Sequence, residues 1–132
     1  MRPAREGTCI IGGRLARQGR QCYQVAMRVL FICSRNRWRS PTAEAVFAEW
    51  PGVETASAGL APDAETPVTP ELLAWAELIC VMEANHQRRL TRDFGPALRG
   101  KRVVCLRIAD KYRLMDPQLV ALLRQRVPPY LA

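Results

Sequence analysis

A cysteine and an arginine, Cys33 and Arg39, are separated by five residues in a polar stretch of this 132-residue chain. A thiolate is a strong nucleophile, and a guanidinium can donate two parallel N–H groups to an oxyanion. Backbone N–H groups that turn around such a loop, together with the first turn of a following helix, form a cradle for a tetrahedral dianion. The positive field of that cradle also favours the thiolate. The pair therefore indicates nucleophilic attack on a phosphoryl group.

The other residues of this candidate phosphate-binding loop are polar or basic, apart from one aromatic: Ser34, Arg35, Asn36, Arg37, Trp38 and Ser40. The hydroxyl of Ser40 could donate to the sulfur of Cys33 and help the thiolate to leave in a second step. A cysteine and an arginine at this spacing also occur by chance. The alternative is a buried cysteine at a strand end and an arginine on the surface.

The segments on either side of the loop favour the functional interpretation. Residues 29–33 are an unbroken apolar run, which predicts a central parallel strand covered on both faces. Ser40-Pro41 is typical of an N-cap followed by proline at the first helical position, and it predicts a helix that ends near Gly52. The loop would thus join the carboxyl end of a strand to the start of a helix.

Strands and helices alternate along the rest of the chain. Apolar runs predict strands over residues 53–58, 78–82 and 102–108, and helices are predicted to open at Thr69-Pro70, to span residues 85–92, and to open at Asp116-Pro117. This alternation predicts an α/β fold, a three-layer sandwich with a four-stranded parallel sheet. Ligands bind such sheets at the carboxyl ends of the strands, where the loop after the first strand lies.

Composition excludes several other classes of protein. Residues 1–26 hold five arginines and one glutamate, so they carry +4 of the formal net charge of +8, and no long basic run follows them. We therefore expect no nucleic-acid partner. No apolar run approaches the ~20 residues of a membrane span, so we expect a cytoplasmic protein without a membrane partner. Five cysteines without a Cys-x-x-Cys pair suggest neither a disulfide framework nor a metal site.

The chain divides at Met27 in this interpretation. Residues 1–26 have no sustained helical or strand period, which predicts a poorly ordered N-terminal extension. Residues 27–132 carry the regular pattern and are predicted to form the functional domain.

Residues 29–44 resemble the signature of low-molecular-weight protein tyrosine phosphatases. They read Val-Leu-Phe-Ile-Cys-Ser-Arg-Asn-Arg-Trp-Arg-Ser-Pro-Thr-Ala-Glu, and in the family an apolar strand runs into Cys-x-Gly-Asn-x-Cys-Arg-Ser-Pro-x-Ala-Glu. The resemblance extends to residues 57–59, 79–82 and 110–112, and covers nearly all of residues 27–132. It implies hydrolysis of a phosphorylated protein or a small phosphomonoester, with no cofactor and no metal.

The resemblance also implies roles for single residues. Cys33 would be the nucleophile that forms a phosphocysteine, and Arg39 would bind the phosphoryl group. Asn36 would shape the loop, and Ser57 would hold Asn36 by a hydrogen bond. Asp110 matches the position of the general acid.

Two candidates for the general acid follow the fourth predicted strand. Asp116 precedes a proline, as the family's acid usually does, but it also fits the N-cap of the last helix. Asp110 follows the strand directly, in Asp110-Lys111-Tyr112, and Tyr112 would flank an aromatic substrate. We therefore predict Asp110 as the acid.

The loop departs from the family's pattern at two positions. Arg35 replaces a glycine, and Trp38 replaces a second cysteine, so Cys33 cannot form the protective disulfide that this cysteine allows. Arg35 and Arg37 at the mouth of the loop suggest an acidic or multiply phosphorylated partner.

Two other functions stay open. The loop could bind phosphate or a phosphoprotein without hydrolysing it, or the chain could be an arsenate reductase. Reduction would need resolving cysteines, whereas Cys80 and Cys105 lie in apolar runs and are predicted to pack in the core. His86, the single histidine, is predicted to lie on the surface or at a helix start.

Overall fold

The computed structural model describes residues 9–11, 14–16 and 27–131. Strand β1 (Cys9–Ile11) pairs antiparallel with β2 (Arg14–Ala16) in a small sheet of its own, which the sequence pattern did not predict. Residues 1–8, 12–13 and 17–26 lie outside the described residues. The predicted disorder of the N-terminal extension therefore stays a prediction.

A four-stranded parallel sheet forms the centre of the described domain. It contains β3 (Met27–Cys33), β4 (Val53–Gly59), β5 (Leu78–Val81) and β6 (Arg102–Cys105). The order across the sheet is β4-β3-β5-β6, so β3 is flanked on both sides and β5 lies between β3 and β6. Both faces of a central parallel strand must be covered, which explains why residues 29–33 are uniformly apolar and buried.

Helices cover both faces of this sheet. On one side α1 (Arg39–Phe47) and α4 (Pro117–Arg126) pack Phe47, Leu119 and Leu123 against Phe31 of β3. On the other side α2 (Pro70–Trp75) and α3 (Ala84–Phe94) pack their apolar side chains against Leu30 and Ile32 of the same strand. Alternate residues of β3 thus pack in two separate cores, one on each face of the sheet. The predicted three-layer α/β sandwich with its four-stranded parallel sheet is confirmed.

The starts of two helices follow the predicted capping pattern. The Thr69 hydroxyl accepts the Leu72 backbone N–H at 3.1 Å, and the Asp116 carboxylate accepts the Gln118 N–H at 2.8 Å. Each cap is followed by proline at the first helical position. These bonds satisfy backbone donors that have no partner within the helix.

Two predicted boundaries are wrong. Helix α1 begins at Arg39, so Ser40 lies inside the first turn and is not the N-cap, and the helix ends at Phe47 rather than near Gly52. Strand β6 ends at Cys105 rather than at residue 108, because Arg107 adopts a left-handed backbone with φ of 58°. That conformation cannot continue an extended strand. No helix in the described ranges combines the length and the apolar character that crossing a membrane requires.

Candidate active site

A cavity of about 300 Å³ opens where β3 ends and α1 begins. Its lining brings together the three predicted catalytic residues with four residues of the predicted loop: Cys33, Arg39 and Asp110, with Ser34, Arg35, Arg37 and Trp38. The first two come from the β3–α1 loop and the third from the segment after β6. These segments meet because the carboxyl ends of parallel strands lie along one edge of the sheet.

Cys33 lies at the base of this cavity, and its sulfur has two polar neighbours. The Asn36 backbone N–H donates to Sγ at 3.2 Å, and the Ser40 hydroxyl oxygen lies 3.0 Å from Sγ. The Ser40 hydroxyl also donates to the Asn36 side-chain oxygen at 2.9 Å. A hydroxyl has one proton, so it serves Asn36 while the sulfur carries its own proton, and can serve the sulfur when this becomes a thiolate. Both protonation states of Cys33 are therefore accommodated.

The backbone of the loop turns at Asn36, which has a φ of 58° and is buried. Asparagine is one of the few residue types that tolerate this left-handed conformation. Arg35, at the family's glycine position, is not among the described residues with positive φ. The loop therefore accepts the arginine side chain there without backbone strain.

The predicted bond from Ser57 to Asn36 is wrong. The Ser57 hydroxyl donates to Oε1 of Glu44 on α1 at 2.5 Å, and Ser40 is the residue that bonds the Asn36 side chain. The strand register explains the difference, because Ser57 pairs with Phe31, two residues before the end of β3. Its side chain therefore lies beside α1 rather than beside the loop.

Residues 59–67 brace the phosphate-binding loop from outside. The backbone N–H groups of Leu60, Ala61 and Glu65 donate to the carbonyl oxygens of Cys33, Ser34 and Arg35 at 3.0, 2.7 and 3.1 Å. This approach requires a glycine at position 59. A Cβ atom on Gly59 would lie 2.6 Å from the Ser34 carbonyl oxygen and 2.8 Å from the Asn36 nitrogen. This brace was not predicted from the sequence.

Arg39 is a buried residue with a side chain only 3% exposed, so the surface-arginine alternative is wrong. Its Nη1 donates to Glu83 Oε2 at 2.5 Å and to the Ile108 carbonyl oxygen at 2.8 Å, and its Nε lies 3.6 Å from Asp110 Oδ1. These contacts fix the plane of the guanidinium beside Cys33. Glu83 was not predicted from the sequence. It follows β5 at the edge of the sheet where the parallel strands end, so a search of the residues after each predicted strand would have found it.

The two candidate acids lie in different surroundings. Asp110 lines the cavity and its side chain is 59% exposed, whereas Asp116 caps its own helix by accepting the Gln118 N–H. This placement supports the choice of Asp110, whose role as acid stays a prediction. Tyr112 does not line the cavity; it is buried in the core beside α4, so its predicted contact with an aromatic substrate is wrong. The aromatic side chain in the cavity wall is Trp38.

His86 is buried near the start of α3, so the predicted helix-start position is confirmed and the surface alternative is wrong. Its Nδ1 accepts the backbone N–H of Glu83 at 3.1 Å. Burial lowers the pKa of the imidazole to about 4, and the nearby charge of Arg39 acts in the same direction. The neutral ring thus positions the residue that holds Arg39.

The arginines at the cavity mouth face acidic side chains. Arg35 Nε lies 3.9 Å from Asp63, and Arg37 Nε lies 3.8 Å from Glu65, with all four side chains largely exposed. Contacts of this length in solvent are weak. The positive charge at the mouth is therefore partly compensated by the bracing segment.

Cys80 is fully buried in the core, as predicted, and this burial raises the pKa of its thiol to about 12. Cys105 is half-buried and packs against the core on the side of α2 and α3. It lines a cavity other than that of Cys33. Neither thiol lines the cavity of Cys33.

No protein-family model and no curated protein sequence matches the chain. Solved structures do match. Wzb from Vibrio vulnificus, in complex with benzylphosphonate, is 24% identical with a TM-score of 0.66, over 80% of this chain and 97% of that one. The low molecular weight protein tyrosine phosphatase from T. tengcongensis is 22% identical with a TM-score of 0.61, over 76% and 97%. The YwlE arginine phosphatase from Geobacillus stearothermophilus is 23% identical with a TM-score of 0.59, over 75% and 84%. The three-dimensional likeness confirms the fold that the resemblance implied.

Proposed function

We propose that this chain, which has the fold of the low-molecular-weight protein tyrosine phosphatases, hydrolyses phosphomonoesters through a phosphocysteine on Cys33. One observation carries the proposal: the sulfur of Cys33, the buried guanidinium of Arg39 and the carboxylate of Asp110 line one cavity. The Asn36 backbone N–H donates to the sulfur and the Ser40 hydroxyl lies beside it, so both groups can hold the sulfur in place for attack.

The first chemical step transfers the phosphoryl group to sulfur. The Cys33 thiolate forms the S–P bond, the P–O bond to the leaving group breaks, and Asp110 gives its proton to the leaving oxygen. Arg39 donates to the equatorial oxygens, where charge is redistributed in the transition state. Glu83 and the Ile108 carbonyl act on the reaction only by holding that guanidinium.

The second step returns the enzyme to its starting state. A water molecule attacks phosphorus and gives one proton to Asp110, the S–P bond breaks, and inorganic phosphate leaves. The electron pair of that bond returns to Cys33, where the Ser40 hydroxyl can donate to the thiolate. Asp110 is then protonated again for the next substrate.

The substrate that we propose is an aryl phosphate of the phosphotyrosine type, on a protein in the cytoplasm. Trp38 gives the cavity an aromatic wall that can stack on a ring. A phenol is also a poor enough leaving group to benefit from the acid Asp110.

Hydrolysis of para-nitrophenyl phosphate without added metal, with competition by orthovanadate, tests the proposal. We expect Cys33→Ser to abolish turnover while its thermal melt stays close to wild type. Arg39→Ala should also abolish turnover, but with a lower melting temperature, because it leaves Glu83 and the Ile108 carbonyl oxygen without their buried partner. Cys105→Ser is the matched control, because that thiol lies outside the cavity, and it should keep full activity. If Cys33→Ser retained more than a few per cent of the activity, the covalent step would be wrong.

The same assays separate the two alternatives. A phosphate-binding module would bind vanadate and release no product. An arsenate reductase would consume reducing equivalents only when arsenate is added.

A further inference from the structure

Three large hydrophobic side chains are exposed in the described part of the chain. They are Trp38, Leu114 and Met115, which are 41%, 54% and 49% exposed. Trp38 lines the active-site cavity, and the other two belong to the segment between β6 and α4 that also carries Asp110. Single exposed apolar residues are ordinary, but a group of them beside a cavity marks a binding surface.

The hydroxyl of Thr42 joins the two segments. It donates to the Trp38 carbonyl oxygen at 2.6 Å and accepts the Met115 backbone N–H at 2.9 Å. Thr42 itself is buried in α1, so this link is fixed to the helix that follows the phosphate-binding loop. The backbones of Trp38 and Met115 therefore lie next to each other, beside the cavity that Trp38 lines.

Met115 keeps a left-handed backbone with φ of 59°. This conformation is disfavoured for a non-glycine residue. The segment turns there and leaves about half of each of two adjacent apolar side chains in contact with solvent. We call Trp38, Leu114 and Met115 the apolar rim.

The cavity mouth thus has two chemically different sides. Arg35 and Arg37, with their acidic neighbours Asp63 and Glu65, make one side charged. The apolar rim makes the other side hydrophobic. A small phosphomonoester whose phosphoryl group sits on the loop can fill the cavity, but it has no atoms to place over Leu114.

We propose that the apolar rim is a docking surface for a phosphorylated polypeptide, which lays an apolar side chain from next to its phosphorylated residue over Leu114 and Met115. This inference rests on the proposed function, because the rim is continuous with the Cys33 cavity through Trp38. Burying one aliphatic side chain gives roughly 1.5 kcal/mol. That free energy corresponds to about a 10-fold gain in kcat/KM.

The test compares three substrates on the full chain: para-nitrophenyl phosphate and two phosphotyrosine peptides that differ only in having leucine or serine beside the phosphotyrosine. The variant is Leu114→Ser with Met115→Asn, since asparagine suits the left-handed backbone of position 115. Pro96→Ser is the matched control, because Pro96 is an exposed apolar residue after α3, at the opposite edge of the sheet.

We expect wild type and Pro96→Ser to prefer the leucine peptide by about 10-fold in kcat/KM. The double variant should lose this preference and hydrolyse para-nitrophenyl phosphate as wild type does. Wild type that hydrolyses para-nitrophenyl phosphate but shows no preference for the leucine peptide would refute the docking surface and leave the proposed function standing. A double variant that keeps the preference for the leucine peptide would have the same meaning. If the double substitution lowers the melting temperature and leaves the preference intact, the rim packs against this chain's own residues, which also refutes it. A wild type inactive on all three substrates would refute the proposed function first.

Discussion

Replacing Gly59 by alanine should damage catalysis through the backbone of the phosphate-binding loop. The added Cβ would lie 2.6 Å from the Ser34 carbonyl oxygen, 2.8 Å from the Asn36 nitrogen and 2.8 Å from the Ala64 Cβ. Ordinary contacts of a carbon atom are near 3.5 Å. Two of these three neighbours are backbone atoms of the loop, so rotation of a side chain cannot relieve the overlap.

The expected size of the effect follows from that overlap. The loop or β4 must shift by several tenths of an ångström, and overpacking of this kind costs about 1–3 kcal/mol of stability. The shift acts on the Asn36 N–H, which donates to Cys33 Sγ at 3.2 Å. Displacing catalytic groups by about 1 Å can cost about 10²-fold in rate. We therefore expect kcat to fall by about 10- to 100-fold, with a smaller relative loss of stability.

Steady-state kinetics with para-nitrophenyl phosphate and a urea melt measure the two effects on one preparation. Gly95→Ala is the matched control, because a Cβ there meets nothing within 4 Å and the backbone φ is not positive. The control should be close to wild type in both measurements. A Gly59→Ala enzyme with wild-type kcat, or a Gly95→Ala enzyme that is equally impaired, would refute the proposed brace.

Three further outcomes are expected. Asp110→Asn should lower turnover by about 10²- to 10⁴-fold, most for leaving groups of high pKa. Asp116→Asn should lower turnover only slightly, because asparagine also caps helices. The reverse order of effects would transfer the role of acid to Asp116. Burial lowers the pKa of His86 from its ordinary value of 6.5 to about 4 in the folded chain. The unfolded chain therefore takes up the proton first, and stability falls as pH drops from about 6.5 to 4. Urea melts should show wild type losing about 2 kcal/mol more than His86→Asn between pH 7 and pH 5, and parallel losses would contradict the assignment. Peroxide should inactivate Cys33 in a way that thiols reverse only in part, because Trp38 stands where a resolving cysteine would shelter the sulfenic acid; full recovery of turnover with dithiothreitol would contradict this.

The meeting of Cys33, Arg39 and Asp110 could be predicted from the sequence because it depends on topology. Apolar runs mark the parallel strands, and the residues after such strands gather at one sheet edge. The same rule applies to Glu83 after β5, which a search of every strand end would have included. The sheet, its two covering layers and the caps at Thr69 and Asp116 followed from equally local signals.

Contacts that depend on register and side-chain direction could not be predicted in this way. Ser57 lies one strand away from the loop, and its partner is decided by its pairing with Phe31 rather than by its place in a motif. Tyr112 follows Asp110 closely, yet its ring turns into the core while Asp110 faces the cavity. The start of α1 was misplaced by two residues because the Ser40 hydroxyl bonds the Asn36 side chain of the loop and does not cap the helix.

The order of strands across the sheet separates the parts of the site from one another. β4 ends at Gly59 of the brace and β3 ends at Cys33. β5 leads to Glu83, which holds Arg39, and β6 leads to Asp110. Each of the four strands is therefore followed by its own segment, and each segment carries a different part of the site. A change in the length of the loop after β6 would move the proposed acid Asp110 together with Leu114 and Met115 of the apolar rim, and leave the proposed nucleophile Cys33 and its brace in place. Substrate preference in this architecture can diverge independently of the chemistry at sulfur.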